Sequence, residues 1–260
     1  MMRRGALLGL AVYFGLMFTL PLAALIGRPP PWPVTGVAFL GLLAFTLLHS
    51  AHTWGWRRAL AFLGWTFLLT GGMEVLGVHT GWPFGPYVYT SPFLGMSVLG
   101  VPVLIPLVWY TVAYPAWHLM DRGWDGRPMH PALRALAASW ALTAWDLLAD
   151  PLMVRRGAWA WLQPGDYFDI PGQNFVGWLW TGWVLFYVWE RTRPSRGQDV
   201  WPWLTYTGLA VLYVLLALQT GLRGAAVAGG MAMGGLALWS LPGFGLGKTR
   251  EREDGHGGRR

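Results

Sequence analysis

Residues 59–78 read ALAFLGWTFLLTGGMEVLGV, and Glu74 is the one charged side chain among them. At about 1.5 Å of rise per residue, a helix of this length crosses the roughly 30 Å hydrocarbon core of a bilayer. A carboxyl group inside such a span is costly, so it faces a protein interior and by default has a function. The stretch 132–154 repeats the pattern with two acids, Asp146 and Asp150. Carboxyl groups in two apolar spans point to an intramembrane polar site.

Composition supports that reading along the whole chain. Of the 260 residues 54% are hydrophobic and 12% charged, where a soluble domain carries about 25% charged residues. The expected fold is all-α, a polytopic membrane protein. The absence of cysteine excludes disulfides, thiolate metal sites and cysteine nucleophiles. A net charge of +7 could suggest nucleic acid, but no nucleic-acid motif accompanies it, and surplus arginine in a membrane protein sets orientation.

Candidate spans are residues 5–26, 34–50, 59–80, 98–120, 131–154, 174–190, 200–220 and 224–241, eight in all, with seven as the alternative. The first could be misread as a signal peptide. Its apolar run is too long for one and the following Gly-Arg-Pro-Pro-Pro is a poor cleavage site, so it reads as a retained span. Residues 1–246 form one transmembrane domain, and 247–260, charged and glycine-rich, read as a disordered basic tail on the cytoplasmic side. With both termini cytoplasmic, fifteen Arg and Lys residues fall inside and four (Arg28, Arg155, Arg156, Arg223) outside. That asymmetry is the positive-inside pattern and argues for a multi-pass protein of the cell membrane. It also places Glu74, His79, Asp146 and Asp150 in the outward half. The two longest loops, 81–97 and 155–173, both aromatic and rich in Pro and Gly, then lie above the acids.

Asp146 and Asp150, four apart, share a helix face. Pro151 disfavours helical geometry at Asp150 and removes the hydrogen bond to the Leu147 carbonyl, which predicts a local break beside two acids. The alternative is structural: both acids pair with Arg155, Arg156 or freed backbone groups. Glu74 follows Gly71-Gly72 and reads as a site acid or as a lone inter-helix hydrogen-bond acceptor. His79, at a span end, is a candidate to position water or a histidine capped by a loop. Asn174, opening the sixth span, reads as a helix cap or a water-orienting amide. His49 and His52 have helical i, i+3 spacing but no matching acid motif, so no metal site is expected. Tyr87, Tyr89, Trp159 and Trp161 fall in the outer loops, where aromatic faces line an apolar pocket, stabilise a cation or form an interfacial belt.

Several blocks together resemble one known family. They are Gly72-Met73-Glu74-Val75-Leu76-Gly77-Val78-His79-Thr80-Gly81 with Pro83-Phe84-Gly85-Pro86-Tyr87-Val88-Tyr89; Gly100-Val101-Pro102-Val103-Leu104-Ile105-Pro106; Trp109-Tyr110 with Tyr114-Pro115; Asp146-Leu147-Leu148-Ala149-Asp150-Pro151; and Ile170-Pro171 with Asn174-Phe175-Val176-Gly177-Trp178. In these the chain is similar to the carotenoid biosynthesis family that holds the CruF-type carotenoid 1′,2′-hydratases, including the bisanhydrobacterioruberin hydratases of haloarchaea. The resemblance covers roughly residues 45–220.

It implies addition of water to the terminal C=C of an acyclic carotenoid end, on an acyclic or monocyclic carotenoid, giving a tertiary alcohol. No cofactor or metal is implied. Implied partners are substrate, water, the bilayer and other membrane enzymes of the pathway. Such chemistry needs a carboxylic acid that protonates the alkene and a second, ionised carboxylate that stabilises the tertiary carbocation or activates water. Asp150 or Asp146 is the expected donor and Glu74 the stabiliser or base. His79, Tyr87, Tyr89, Asn174 and Trp178 are expected to position substrate and water. Three other functions compete. An intramembrane prenyltransferase would use Asp146 and Asp150 with magnesium; the remaining two are a transporter and a carotenoid-binding protein without turnover.

Overall fold

The structure, a computed structural model, describes residues 1–25, 33–124, 129–192, 194 and 199–241. It is an all-α membrane protein. The helices are α1 (Met2–Met17), α2 (Thr19–Leu25), α3 (Pro33–Trp54), α4 (Trp56–Thr80), α5 (Leu104–Trp124), α6 (Pro131–Arg155), α7 (Gly172–Arg191), α8 (Val200–Gln219) and α9 (Arg223–Trp239). Four helical stretches, Met2–Ala23, Val34–Trp54, Trp56–Thr80 and Val200–Gln219, are long and apolar enough to cross a membrane by length and composition. The expected tail at 247–260 lies outside the described residues.

α5 and α6 form the centre. Every residue of α5 from Trp109 to Asp121 is buried, and α6 packs against α5, α7, α8 and α9. Leu133, Leu136 and Trp140 of α6 are exposed, but from Ala141 to Leu152 α6, like α5 from Trp109, meets mainly protein, which is why these stretches tolerate the acids and hydroxyls that lower their hydropathy. Around them, Arg3 approaches Asp199 at 3.9 Å and Gln219 Nε2 donates to the Pro21 carbonyl at 2.9 Å. Both ends of α8 are thus tied to the two ends of the α1–α2 rod.

Two expectations about helix boundaries are corrected. Residues 98–103 do not begin a span. Ser97–Val98 (β2) and Val101–Pro102 (β3) pair antiparallel, and Leu99 (φ 51) and Gly100 (φ 81) make the turn. Two consecutive positive φ values mark the turn type that matches strand twist in a two-residue hairpin. The helix starts only at Leu104. Pro151 does not break α6 either, which runs on to Arg155. The Leu147 carbonyl that proline leaves without an amide accepts instead from the Tyr167 hydroxyl at 2.8 Å.

The two aromatic loops meet. Tyr87–Tyr89 (β1) pairs antiparallel with Trp159–Trp161 (β4), Tyr87 opposite Trp161 and Tyr89 opposite Trp159. Side chains alternate across a strand, so these four rings share one face while Val88 and Ala160 point away, exposed. The short sheet roofs one end of the helix bundle.

Candidate active site

Under that roof lies a cavity of about 50 Å³. Glu74 of α4 and Asp146 and Asp150 of α6 all line it, with Asn174 and Trp178 of α7 and Trp109 of α5. Glu74 is held by three donors. The Tyr87 hydroxyl makes a short hydrogen bond to Oε2, the Tyr89 hydroxyl donates to the same oxygen at 2.7 Å, and Trp109 Nε1 donates to Oε1 at 3.0 Å. Burial first, and the Glu74 charge second, push both phenols far above their ordinary range. They therefore act as donors at any physiological pH.

Asn174 serves the other pair. Its Nδ2 donates to Asp150 Oδ2 at 2.5 Å and to Asp146 Oδ2 at 3.0 Å. An amide nitrogen carries two hydrogens, so one side chain can bridge both carboxyls. It sits third in α7, after an N-cap at Pro171 that uses no side chain, so the amide is not a helix cap. Asp146 Oδ1 and Trp145 Nε1, both buried, have no hydrogen-bond partner among the described residues.

The remaining walls are aromatic. Trp109 and Trp178 stack at 3.6 Å with planes 9° apart, and Trp145 leans on Trp178 at 5.9 Å. Phe84 closes the side between α4 and α7. A Cβ on Gly77 would lie 3.0 Å from its ring and one on Gly177 2.7 Å, so both helices need glycine where the loop presses in. Trp161 Nε1 fixes that loop by donating to the Phe84 carbonyl at 2.9 Å.

Residues 33–236 match the family described as carotenoid biosynthesis protein. The chain belongs to that family. The matched region contains every residue lining the cavity. Among curated proteins the chain is similar to the bisanhydrobacterioruberin hydratase of Haloarcula japonica, 32% identical over 135 residues, which is 52% of this chain and 45% of that protein. The similarity thus spans less than half of the relative's length. No solved structure matches the chain.

Of the side chains singled out in the sequence of this family member, the cavity gathers Glu74, Asp146, Asp150, Tyr87, Tyr89, Asn174 and Trp178. His79 is not among them: it lies exposed on the last turn of α4. It stands five residues from Glu74, which on a helix is about 140° round the axis. His49 and His52 also part company. His49 is buried between the Tyr114 hydroxyl at 2.7 Å and Asp199 at 3.3 Å, while His52 is exposed. Among the described residues no group of His, Cys, Asp and Glu has the arrangement of a metal site. Trp109 and Trp145, central to the cavity, were not singled out as site residues. The signal available was their place on polar helix faces, Trp145 beside Asp146 and Trp109 on a helix with few lipid-facing positions.

A second set of buried polar contacts lies toward the other ends of α5 to α7. Arg134 pairs with Asp121 at 2.9 Å and Trp117 Nε1 donates to Glu190 at 2.7 Å. These contacts join α5 to α6 and to α7.

Proposed function

We infer that this chain is a carotenoid hydratase, adding water across the terminal C=C of an acyclic end group to give a tertiary alcohol. The observation that carries this is the single cavity holding Glu74, Asp146 and Asp150 inside an otherwise apolar, tryptophan-rich wall. The family's place in carotenoid biosynthesis and the hydratase name of the relative support it.

The residues divide by environment. Glu74, saturated by Tyr87, Tyr89 and Trp109, has the donors that stabilise an ionised carboxylate. Asp146 and Asp150 share one bridging amide in a dry wall, the arrangement in which two carboxyls hold a proton between them. In the reaction one of this pair gives its proton to the less substituted alkene carbon, and the π electrons form the new C–H bond. The tertiary cation left behind faces the Glu74 carboxylate and the Trp109 and Trp178 rings, both of which stabilise positive charge. Water adds its oxygen to the cation and passes a proton back to the carboxylate that acted as acid. Trp145 Nε1 and Asp146 Oδ1 offer that water a donor and an acceptor. Electrons balance without an oxidant, a reductant or a nucleotide.

The eight-span reading with both termini cytoplasmic belongs to this proposal. It counts the α1–α2 rod as one crossing and α3 to α9 as seven. Arg57 and Arg58, Arg122 and Arg191 then share the cytoplasmic end with Arg3 and Arg4, and the cavity faces outward. Diphosphate chemistry with magnesium fits less well: Arg155 and Arg156 are exposed at the helix end, and among the described residues no Arg or Lys lines the cavity.

The test is direct. Purified protein in liposomes with a lycopene-like acyclic carotenoid, run in 18O-labelled water, should yield a product one water heavier with the label in a tertiary alcohol. Unlabelled product, or substrate recovered unchanged, would overturn the reading.

A further inference from the structure

Among the described residues of the two outer loops, the β2–β3 hairpin carries a cluster of strongly exposed apolar side chains. Met96 is 75% exposed, Val98 55% and Leu99 68%. Residues 75–120 contain no Asp, Glu, Lys or Arg, whereas the other roof loop carries Arg155, Arg156, Asp166 and Asp169. A loop standing in water does not need such a composition.

Contacts with α4 fix the height of the hairpin. A Cβ on Gly100 would lie 3.4 Å from Val78, on the last turn of α4, and one on Gly71 would lie 3.8 Å from Pro106. Farther down, the rings of Phe62 and Tyr110 are 5.8 Å apart. The chain therefore descends antiparallel to α4 from Gly100, and α5 begins well below the end of α4. Val78 and Gly71 are separated by about 10 Å along the helix axis. Within that interval stand β2 and β3, and Met96 is tied to Val103, its carbonyl accepting from the Val103 amide at 3.0 Å. Non-helical backbone at such depth needs its polar groups satisfied, and the strand pairing with the Val103-to-Met96 bond serves those that face between the two strands. Directly after the hairpin come Ile105 and Val108, which line the acid cavity.

We propose that the β2–β3 hairpin is immersed in the acyl chains of the leaflet nearest the acids and forms the lip of a lateral portal. Through it a membrane-dissolved hydrocarbon chain passes over Ile105 and Val108 into the cavity. The occupant of the apolar surface is lipid, because the surface is continuous with the lipid-facing belt of α4 and has no charge with which to meet water. The identity of the incoming chain as a carotenoid rests on the proposed hydratase function; the immersion of the hairpin does not.

The chain has no cysteine, so single substitutions report cleanly. A spin label at Met96→Cys in liposomes should collide with oxygen in preference to an aqueous nickel chelate, as should one at Leu68→Cys on α4. A label at Asp166→Cys should show the reverse. A Met96→Cys label that behaves like Asp166→Cys overturns the immersion.

Passage is followed at Ala149→Cys, inside the cavity. An acyclic carotenoid added in liposomes should protect this thiol from a membrane-permeant maleimide. Adding Val98→Asp or Leu99→Asp, each costly in lipid, should slow the onset of protection by about tenfold. Unchanged onset, or no protection in the single variant, overturns the portal. Protection without alcohol formation would defeat the hydratase reading and leave the portal standing.

Discussion

The Tyr167 hydroxyl donates to the Leu147 carbonyl at 2.8 Å, one residue after Asp146 and four before Pro151. Burial, followed by the nearby charges of Asp146 and Asp150, pushes this phenol up to about 12, so it stays a donor. The loop that delivers it turns through Phe168 and Asp169, both at positive φ (53° and 66°), with Tyr167 bridged to Ile170. Non-glycine residues in that region cost of order 1–3 kcal/mol each. The fold accepts this at the site where α6 would otherwise lack a partner between its two acids.

Tyr167→Phe should therefore lower turnover about 10-fold or less with little change in KM, by leaving a half-buried carbonyl between the two acids without its donor, a loss of about 1 kcal/mol. The decisive measurement is a double-mutant cycle. Pro151→Ala returns an amide N–H to the same carbonyl, so Tyr167→Phe should be nearly neutral in that background. Additive losses would show that Tyr167 acts elsewhere.

Asn174 joins the acids from a different helix. In Asn174→Leu both Oδ2 atoms lose their donor while α7 keeps its packing. Product formation should fall by about 10²- to 10³-fold, the usual effect of removing one preorganised donor, while the thermal midpoint moves little. Near-normal activity in a folded variant would remove Asn174 from the machinery.

The sequence made some of this legible and hid the rest. Apolar spans carrying acids, helical spacing and the sign asymmetry of the loops were enough to bring Glu74, Asp146 and Asp150 to one end of the bundle. The i, i+4 pair faces one way because 3.6 residues make a turn; by the same arithmetic His79 turns away from Glu74. The hairpin at 97–102 was hidden because its strands are apolar and its turn, Leu99-Gly100, lies within a hydrophobic run with no change of periodicity. Proline signalled a break at 150–151 that a tyrosine sixteen residues later prevents, and no local pattern announces such a contact. Trp109 and Trp145 were concealed by number: among 19 tryptophans an interfacial belt explains each one as well as a cavity does.

Glu74 and its three donors should respond in graded fashion. Glu74→Gln keeps the size of the side chain but removes the negative charge that faces the cation in the proposed reaction, and turnover should drop by at least about 10². Tyr89→Phe removes one of three donors and should cost about 10-fold or less, since Tyr87 still serves the same oxygen. If the two variants lose activity equally, the charge on Glu74 is not what the reaction uses.

The Trp109–Trp178 stack gives the last test, because it separates shape from charge stabilisation. The rings lie 3.6 Å apart, and Trp178 also meets Trp145 at 5.9 Å, so a Trp178 variant alters two cavity walls together. Trp178→Phe retains a π face, and Trp178→Leu is apolar without one. A cation over an aromatic face gains about 2 kcal/mol or more when desolvated, which converts to roughly 30-fold in rate. Turnover should therefore rank wild type, then Phe, then Leu, with Leu at least about 10-fold below Phe. Affinity for the unreacted carotenoid, measured by protection of Ala149→Cys from maleimide, should differ by much less. A Phe variant no better than Leu, with both binding substrate normally, would mean that the ring fills space and does not stabilise charge.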